Sequence, residues 1–567
     1  MVVFKNIVYR KITAIIQIAI LTFIMYLSLM AVETRWAPAD LLSTRMLPLI
    51  CILSGILLLM NKEKVTIKTA DILLAIFAIF YGLHSLTRSD YPNTTQCLKL
   101  AEPLLLYIPL RILFSAKSVS QWILIYSILI CACIEAIWGI IQLTCGESRD
   151  NVYLITGSFL NPGPYSAFLA IGIITGLAVI AEFGRNKIVF ALVTIMLAVL
   201  PSTWSRAAFV SIGIPVLWLF KEKYYKYRFY VWGMLVILFI AIYYLKKGSA
   251  NGRIIIWIAS LLSWSHKPIW GVGIGGFIHS FSEGIIEMYN NHFMTSLFNY
   301  AGIADNSYNL LLKILVEQGF IGLLLFSIMI AAFLKSLKIT SRPLFYGMIT
   351  FLIFSLFSYS FELLPYRIIN MTILAWSVSK YNNGFSFPIN NYLSILSIIF
   401  TISMGIIVHN NVLDRMTFDK EAKALSSQKG EDLIDDFYEL LPLEEDNTQY
   451  LYDFATALSA VGRYKDSNIV LKKGILISAD PIFYLLMGNN YYKLNEIELT
   501  ENAYKKAFEM MPNRIYPLYK LMLFYSETGQ EEKVKIMAKQ VFEFCPKIKS
   551  PATDEMKENA RNIIQLF

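Results

Sequence analysis

The amino-acid sequence predicts an all-α, multi-pass membrane protein with a soluble helical tail, and three observations carry that reading. Of 567 residues, 56% are hydrophobic and 16% charged, with mean hydropathy +0.54, whereas soluble domains carry roughly 25% charged residues. The apolar residues fall in runs of about 17–22, long enough to cross a hydrocarbon core of roughly 30 Å as a helix. After about residue 410 these runs stop and a charged, repeating pattern takes over.

Segmentation gives 12–13 expected spans, at about 11–32, 41–60, 65–86, 97–115, 119–144, 160–181, 188–203, 206–220, 229–245, 319–337, 343–361, 365–379 and 388–409. The seventh and eighth are short and nearly joined. The first, Lys11 to Val32, is too long for a signal-peptide core and lacks a small-x-small cleavage site, so it reads as a retained span.

Threading these spans from a cytoplasmic N-terminus makes "NKEKVTIK", "FGRNK", "KEKYYKYR" and "KSLKITSR" cytoplasmic. The opposite loops, "ETRWAPAD", "LTRSDYPNTT" and "CGESRDNVYL", carry few positive charges and several acids. That is the positive-inside asymmetry of a bacterial inner membrane. It assigns the net charge of +9 to short loops against lipid headgroups rather than to nucleic acid. It also places "STWSR", the long loop 246–318 and the tail outside the cytoplasm. The expected domains are a membrane domain at 1–410, a helical linker at 411–447 and a periplasmic helical domain at 448–567.

In the tail, Gly462, Asn495 and Gly529 recur at a spacing of about 33–34 residues, which resembles tetratricopeptide repeats. Leu451, Phe454, Ala455 and Leu458 fill the inner positions of the first unit, Tyr484, Met487, Gly488 and Tyr491 those of the second, and Leu518, Leu521, Met522 and Tyr525 those of the third. Met522 stands where a small residue is usual. Stacked helix pairs of this kind make a scaffold for a protein partner.

Several motif readings fail. "GVGIGG", Gly271 to Gly276, formally matches a dinucleotide fingerprint, but no strand–turn–helix frames it, and its glycines suit a tight turn or close backbone approach. His266, His279 and His292 fit no compact metal motif, and the six cysteines form no CxxC pair. No metal or other cofactor is therefore expected.

A set of external polar residues at span ends remains: Asn161 in "GSFLNPGPYSAFLA", Trp204 and Arg206 in "STWSRAAFVSIGI", Arg253 in "NGRIIIWIASLL", and Asp305, Asn306 and Tyr308 in "ADNSYNLLLKILVEQGF". Each has an ordinary use. Arg206 beside Trp204 serves as an interface anchor, Arg253 pairs with a headgroup, Asp305 or Asn306 caps a helix, and Asn161-Pro162 starts a span.

Taken together and in this order, these stretches resemble the O-antigen ligase family, which includes lipopolysaccharide O-antigen ligases, O-antigen polymerases and bacterial protein O-oligosaccharyltransferases. The resemblance covers about residues 157–326, with Glu317 and Gly319 in the family's acidic-x-glycine position. It implies a GT-C-type glycosyltransferase that takes an undecaprenyl-diphosphate-linked glycan at the outer face of the inner membrane. Family arginines map onto Arg206 and Arg253 and imply a diphosphate clamp. Asn161 would orient sugar or acceptor, and Asn306, Tyr308, Trp204 and His292 are further expected substrate contacts. Where ligases show His-Asn, this chain has Asp305-Asn306; the base that the resemblance implies is then Asp305 or another residue, with His292 the nearest loop histidine, or the acceptor is positioned differently. The acceptor is lipid A-core, a protein or a second glycan, the last making the enzyme a polymerase. A transporter or flippase is the reading from another class. Against it, Glu102, Arg111 and Glu135 are too sparse to define a pathway.

Overall fold

The computed structural model describes residues 65–92, 94–115, 119–148, 152–230, 247–426, 433–546 and 549–566, with isolated positions between 17 and 56 and at 233 and 244. The expected spans at 11–32, 41–60 and 229–245 lie largely outside the described residues, as does the side chain of Glu102.

The architecture is all-α apart from one antiparallel ribbon of β1 (Thr66–Lys68) and β2 (Ser386–Pro388), with Ile67 opposite Phe387. The membrane part contains α1 (Thr69–Arg88), α2 (Thr94–Leu113), α3 (Gln121–Cys145), α4 (Pro162–Phe183), α5 (Lys187–Val199), α6 (Arg206–Leu219), α9 (Leu310–Thr340), α10 (Arg342–Ser355), α11 (Leu364–Lys380) and α12 (Asn391–Ser426), with α7 (Lys247–Ser265) and α8 (Phe277–Asn290) inserted after α6. Among the described residues, five helices are long and apolar enough to cross a membrane: α1, α3, α4, α9 and α12. The chain is thus a multi-pass membrane protein. Helices α5, α6 and α10 are apolar but shorter, and α2 carries Pro103, Pro109 and Arg111.

Helix α4 is apolar on every face and sits centrally, packed by α3, α5, α6 and α10, as an all-round hydrophobic helix must be. The connections fall at two ends of this bundle. At one end, Lys68 Nζ donates to the carbonyl of Val378 at 2.8 Å, and Arg111 Nε meets Asp71 at 3.1 Å. Asn186, in the basic "FGRNK" turn, donates to the Tyr126 hydroxyl nearby at 3.2 Å. At the other end, the turns before α4 and α6 and the turn after α10 face α7.

The expected tenth span, 319–337, matches the part of α9 after a break, and a further helical segment precedes it. Helix α9 starts at Leu310 and breaks at Gly319, whose φ of 66° is left-handed. There the backbone of 268–273 docks on it, with Val272 N–H donating to Val316 O at 2.9 Å and Phe320 N–H to Pro268 O at 2.9 Å. A Cβ on Gly319 would lie 2.2 Å from Ile269 O, and one on Gly271 would lie 2.5 Å from Val316 O. The glycines of "GVGIGG" therefore serve close backbone approach.

The tail follows as α13 (Ile434–Glu444), α14 (Thr448–Ala460), α15 (Tyr464–Ile475), α16 (Ile482–Lys493), α17 (Ile497–Met510), α18 (Tyr516–Glu527), α19 (Glu531–Glu543) and α20 (Pro551–Gln565). The pairs α14/α15, α16/α17 and α18/α19 turn at Gly462, Asn495 and Gly529, with left-handed φ of 81°, 59° and 68°. Met522 is fully buried, so the array accommodates the larger side chain. No break falls at 410: α12 runs unbroken from the bundle, and Ala422 packs into the core under α13 and α14. The array also seats on the inserted helices, through Tyr289 against Phe508 at 5.6 Å and Ala479 in the core of α7 and α8.

Candidate functional site

The site is assembled by turns, and buried side chains hold each turn. Glu135 on α3, fully buried, accepts from Ser158 N–H at 2.9 Å and Ser158 Oγ at 2.6 Å. Gln142, two turns on, accepts from the amides of Thr156 and Gly157 at 2.9 and 2.8 Å. These bonds fix the 156–160 loop and deliver Asn161 to the start of α4, where its Oδ1 accepts from Gly163 N–H at 2.7 Å. Asn161 is therefore both a helix cap and a wall residue.

After α5, a 3-10 turn over Leu200–Thr203 ends in Trp204, left-handed at φ 49° and 65% exposed. Ser205 caps α6 by accepting from Ala208 N–H at 3.4 Å, so Arg206 is the first helical residue. A cation at a helix N-terminus opposes the macrodipole, which favours anions there by about 0.3–1 kcal/mol. That placement adds nothing to the helix and suits a negatively charged ligand.

From the other side, α7 presents Arg253 over the ring of Tyr308 at 5.4 Å. Tyr308 is left-handed at φ 50° and packs edge-on against Tyr359 at 5.9 Å. Its loop is tied down by Trp257 Nε1 donating to Ser307 O at 2.9 Å, and Asn309 rather than Asp305 or Asn306 caps α9.

Asn161, Trp204, Arg206, Arg253 and Tyr308 line one open cavity of about 390 Å³, with Ser358 from the turn after α10 completing the wall. Burial lowers the Arg253 pKa, and the neighbouring Arg206 lowers it further, so the site concentrates positive charge at an energetic cost. Burial raises the Tyr308 hydroxyl, an effect Arg253 opposes.

Three expected contacts are not on the cavity wall. Asp305 is exposed on the loop three residues before Tyr308, and burial of its surroundings together with Asp480 of the array raises its pKa. Asn306 turns away, its amide nitrogen oriented to Glu362 at 2.7 Å, and Glu362 pairs with Lys313 at 2.6 Å. His292 sits exposed in a left-handed turn after α8, off the cavity wall. The other loop histidines are placed separately, His266 on Glu287 at 2.9 Å and His279 near the carbonyl of Ile475 at 3.4 Å.

The sequence reading missed Tyr153, Tyr300 and Ser358 on the cavity wall and the supporting Glu135 and Gln142. A buried acid and amide two turns apart on one apolar helix were the available signal for the last pair.

Residues 163–327 match the O-antigen ligase family model. This segment contains Arg206, Arg253, Asp305 and Tyr308 and begins two residues after Asn161. The match connects the membrane domain with glycan transfer. No curated protein matches the chain. Among solved structures, two crystal structures of MamA align at 16% identity over 23% of this chain and 82% and 77% of theirs, with a TM-score of 0.19. That likeness is too slight to bear on fold or function.

Proposed function

We propose that this chain is an inner-membrane glycosyltransferase that moves a glycan from an undecaprenyl-diphosphate carrier to an acceptor hydroxyl at the periplasmic face. One observation carries the reading. Five residues from α4, α6, α7 and the loop before α9, two of them arginines, converge on one cavity at the end of the bundle away from the basic turns. The O-antigen ligase match over 163–327 supports it.

The chemistry follows from the charges. An acceptor oxygen attacks the anomeric carbon, the bond from that carbon to the diphosphate oxygen breaks, and the diphosphate leaves with the electron pair. Arg206 and Arg253 stabilise the charge that accumulates there. Guanidinium forks bind phosphate oxygens bidentately and stay charged when partly desolvated, and such preorganised stabilisation typically contributes about 2.7–4 kcal/mol per donor. Ring faces of Trp204 and Tyr308 border the cavity where the first sugar lies, and Asn161 keeps its NH2 group for a hydroxyl because its oxygen is taken by Gly163. Asp305, on the rim loop, receives the acceptor proton. A carboxylate with a raised pKa is a better base than an ordinary one. His292 lies outside the cavity wall and is the weaker candidate. The helical tail belongs to the same face and presents itself to a protein or bulky acceptor.

Reconstitution with a defined undecaprenyl-diphosphate glycan, offered lipid A-core, peptides and carrier-linked glycan in parallel, tests the reading. Transfer to any of them that Arg206→Ala and Arg253→Ala abolish supports it, and the acceptor used separates ligase, protein glycosylation and polymerase. Full activity in both variants sinks it.

A further inference from the structure

A second cavity, of about 500 Å³, lies between the helical array and the inserted loop. It shares Gly302 with the arginine cavity, so the two chambers stand on either side of one stretch of chain. That stretch is pinned by the array, because Asn513 Nδ2 donates to Ala301 O at 2.8 Å. The array is thereby part of the site's architecture.

We infer that this second cavity is the acceptor subsite and that its occupant is an extended polypeptide segment, whose apolar side chain enters it while a neighbouring serine or threonine reaches the arginine cavity. This rests on the glycan-transfer reading above and narrows the acceptor. The walls are mainly apolar, from Met511, Ile515, Ala552 and Met556, with Tyr516 at 41% exposure offering a ring. The polar groups present are largely engaged already. Ser550 and Thr553 bond each other as the cap of α20, and Asn513 holds Ala301. A sugar buried there would leave its hydroxyls without partners, whereas an aliphatic or aromatic side chain suits the surface. Arg514, exposed on the wall, favours an acidic residue nearby. At about 3.3 Å per extended residue, a segment of a few residues spans the shared boundary at Gly302. In the transfer itself, the serine or threonine oxygen bonds to the anomeric carbon, its proton passes to Asp305, and undecaprenyl diphosphate departs.

The test uses the full chain in detergent, a defined undecaprenyl-diphosphate glycan, and synthetic peptides carrying one serine or threonine with alanine, leucine or phenylalanine at each flanking position. Wild type is expected to favour a large apolar residue at one fixed offset by roughly tenfold in kcat/KM. Ala552→Trp, at an exposed position that fills the cavity, erases that preference, so that the alanine, leucine and phenylalanine peptides are used at the same rate. Arg514→Glu reverses the preference between acidic and basic flanks. A preference that survives Ala552→Trp overturns the subsite, as does transfer to carrier-linked glycan or lipid A-core with none to any peptide. Absence of transfer to every acceptor strikes the glycan-transfer reading instead.

Discussion

Arg111 and Arg253 stand at opposite ends of the same helical bundle and show two uses of one side chain. Arg111 is buried, 3.1 Å from Asp71, and its guanidinium also donates to Ser379 Oγ and to the carbonyl of Thr66. Its charge is neutralised and its donors are spent on the fold. Arg253 has a tyrosine ring beneath it and another arginine beside it, and no carboxylate lies within ion-pair distance among the described residues. A cation paired with an acid ties helices together. A cation held near a second cation costs free energy until an anion arrives, and that difference supports the proposed binding site.

The largest expected effect separates the two. Arg253→Ala lowers the transfer rate by about 10²–10³-fold and leaves thermal stability unchanged or raised, because it removes repulsion. Arg111→Ala leaves the partly buried Asp71 without its ion-pair partner and destabilises by about 3 kcal/mol, with normal turnover in the fraction that stays folded. Rates measured beside unfolding curves for both variants check this, and matching profiles would erase the contrast.

Next is the frame of the cavity. Gly319→Ala forces a side chain into a left-handed position against Ile269 O. Such strain costs about 1–3 kcal/mol, read as a lower unfolding temperature and looser protection of 268–276 in hydrogen exchange. Unchanged exchange in that segment would show that the break in α9 does not hold the loop.

A finer test asks whether fork geometry matters. Arg206→Lys keeps the charge and loses the planar pair of donors, so transfer falls by roughly tenfold while Arg206→Ala falls further. Equal losses would reduce Arg206 to a shape requirement.

The smallest expected effect is a shift in pH dependence. The base role proposed for Asp305 requires it deprotonated, so activity is expected to fall as pH drops through its raised pKa. Asp480 contributes to that elevation, and Asp480→Asn removes a neighbouring negative charge. The carboxylate then ionises more readily and the acidic limb moves to lower pH, with the rate on the plateau unaltered. A limb that stays in place would separate Asp305 from the titration.

Much of this was legible in the sequence because it rests on local rules. Apolar runs gave the helices α1–α6 and α9–α12, five of them long and apolar enough to span, and left-handed turns at Gly462, Asn495 and Gly529 follow from the spacing of small or turn-prone residues. Arg206 and Arg253 were legible because charges are costly beside a bilayer and draw notice there. The route of Asn306 to Glu362 was not, since the partner stands 56 residues away on a turn with no pattern of its own. The break at Gly319 was legible only as the start of the expected tenth span, because its cause, the docking of the 268–273 backbone, leaves no local pattern. The array's seat on α8 depends on Tyr289 meeting Phe508, a contact between surfaces that periodicity describes separately.

Affinity for undecaprenyl diphosphate tests the central assignment most directly, because it needs no acceptor and no knowledge of the sugar. Titrated into the detergent-solubilised chain, the lipid is expected to bind saturably to wild type, and Arg206→Ala/Arg253→Ala together to weaken it by about 100-fold or more. Equal affinity in wild type and the double variant would contradict the diphosphate clamp.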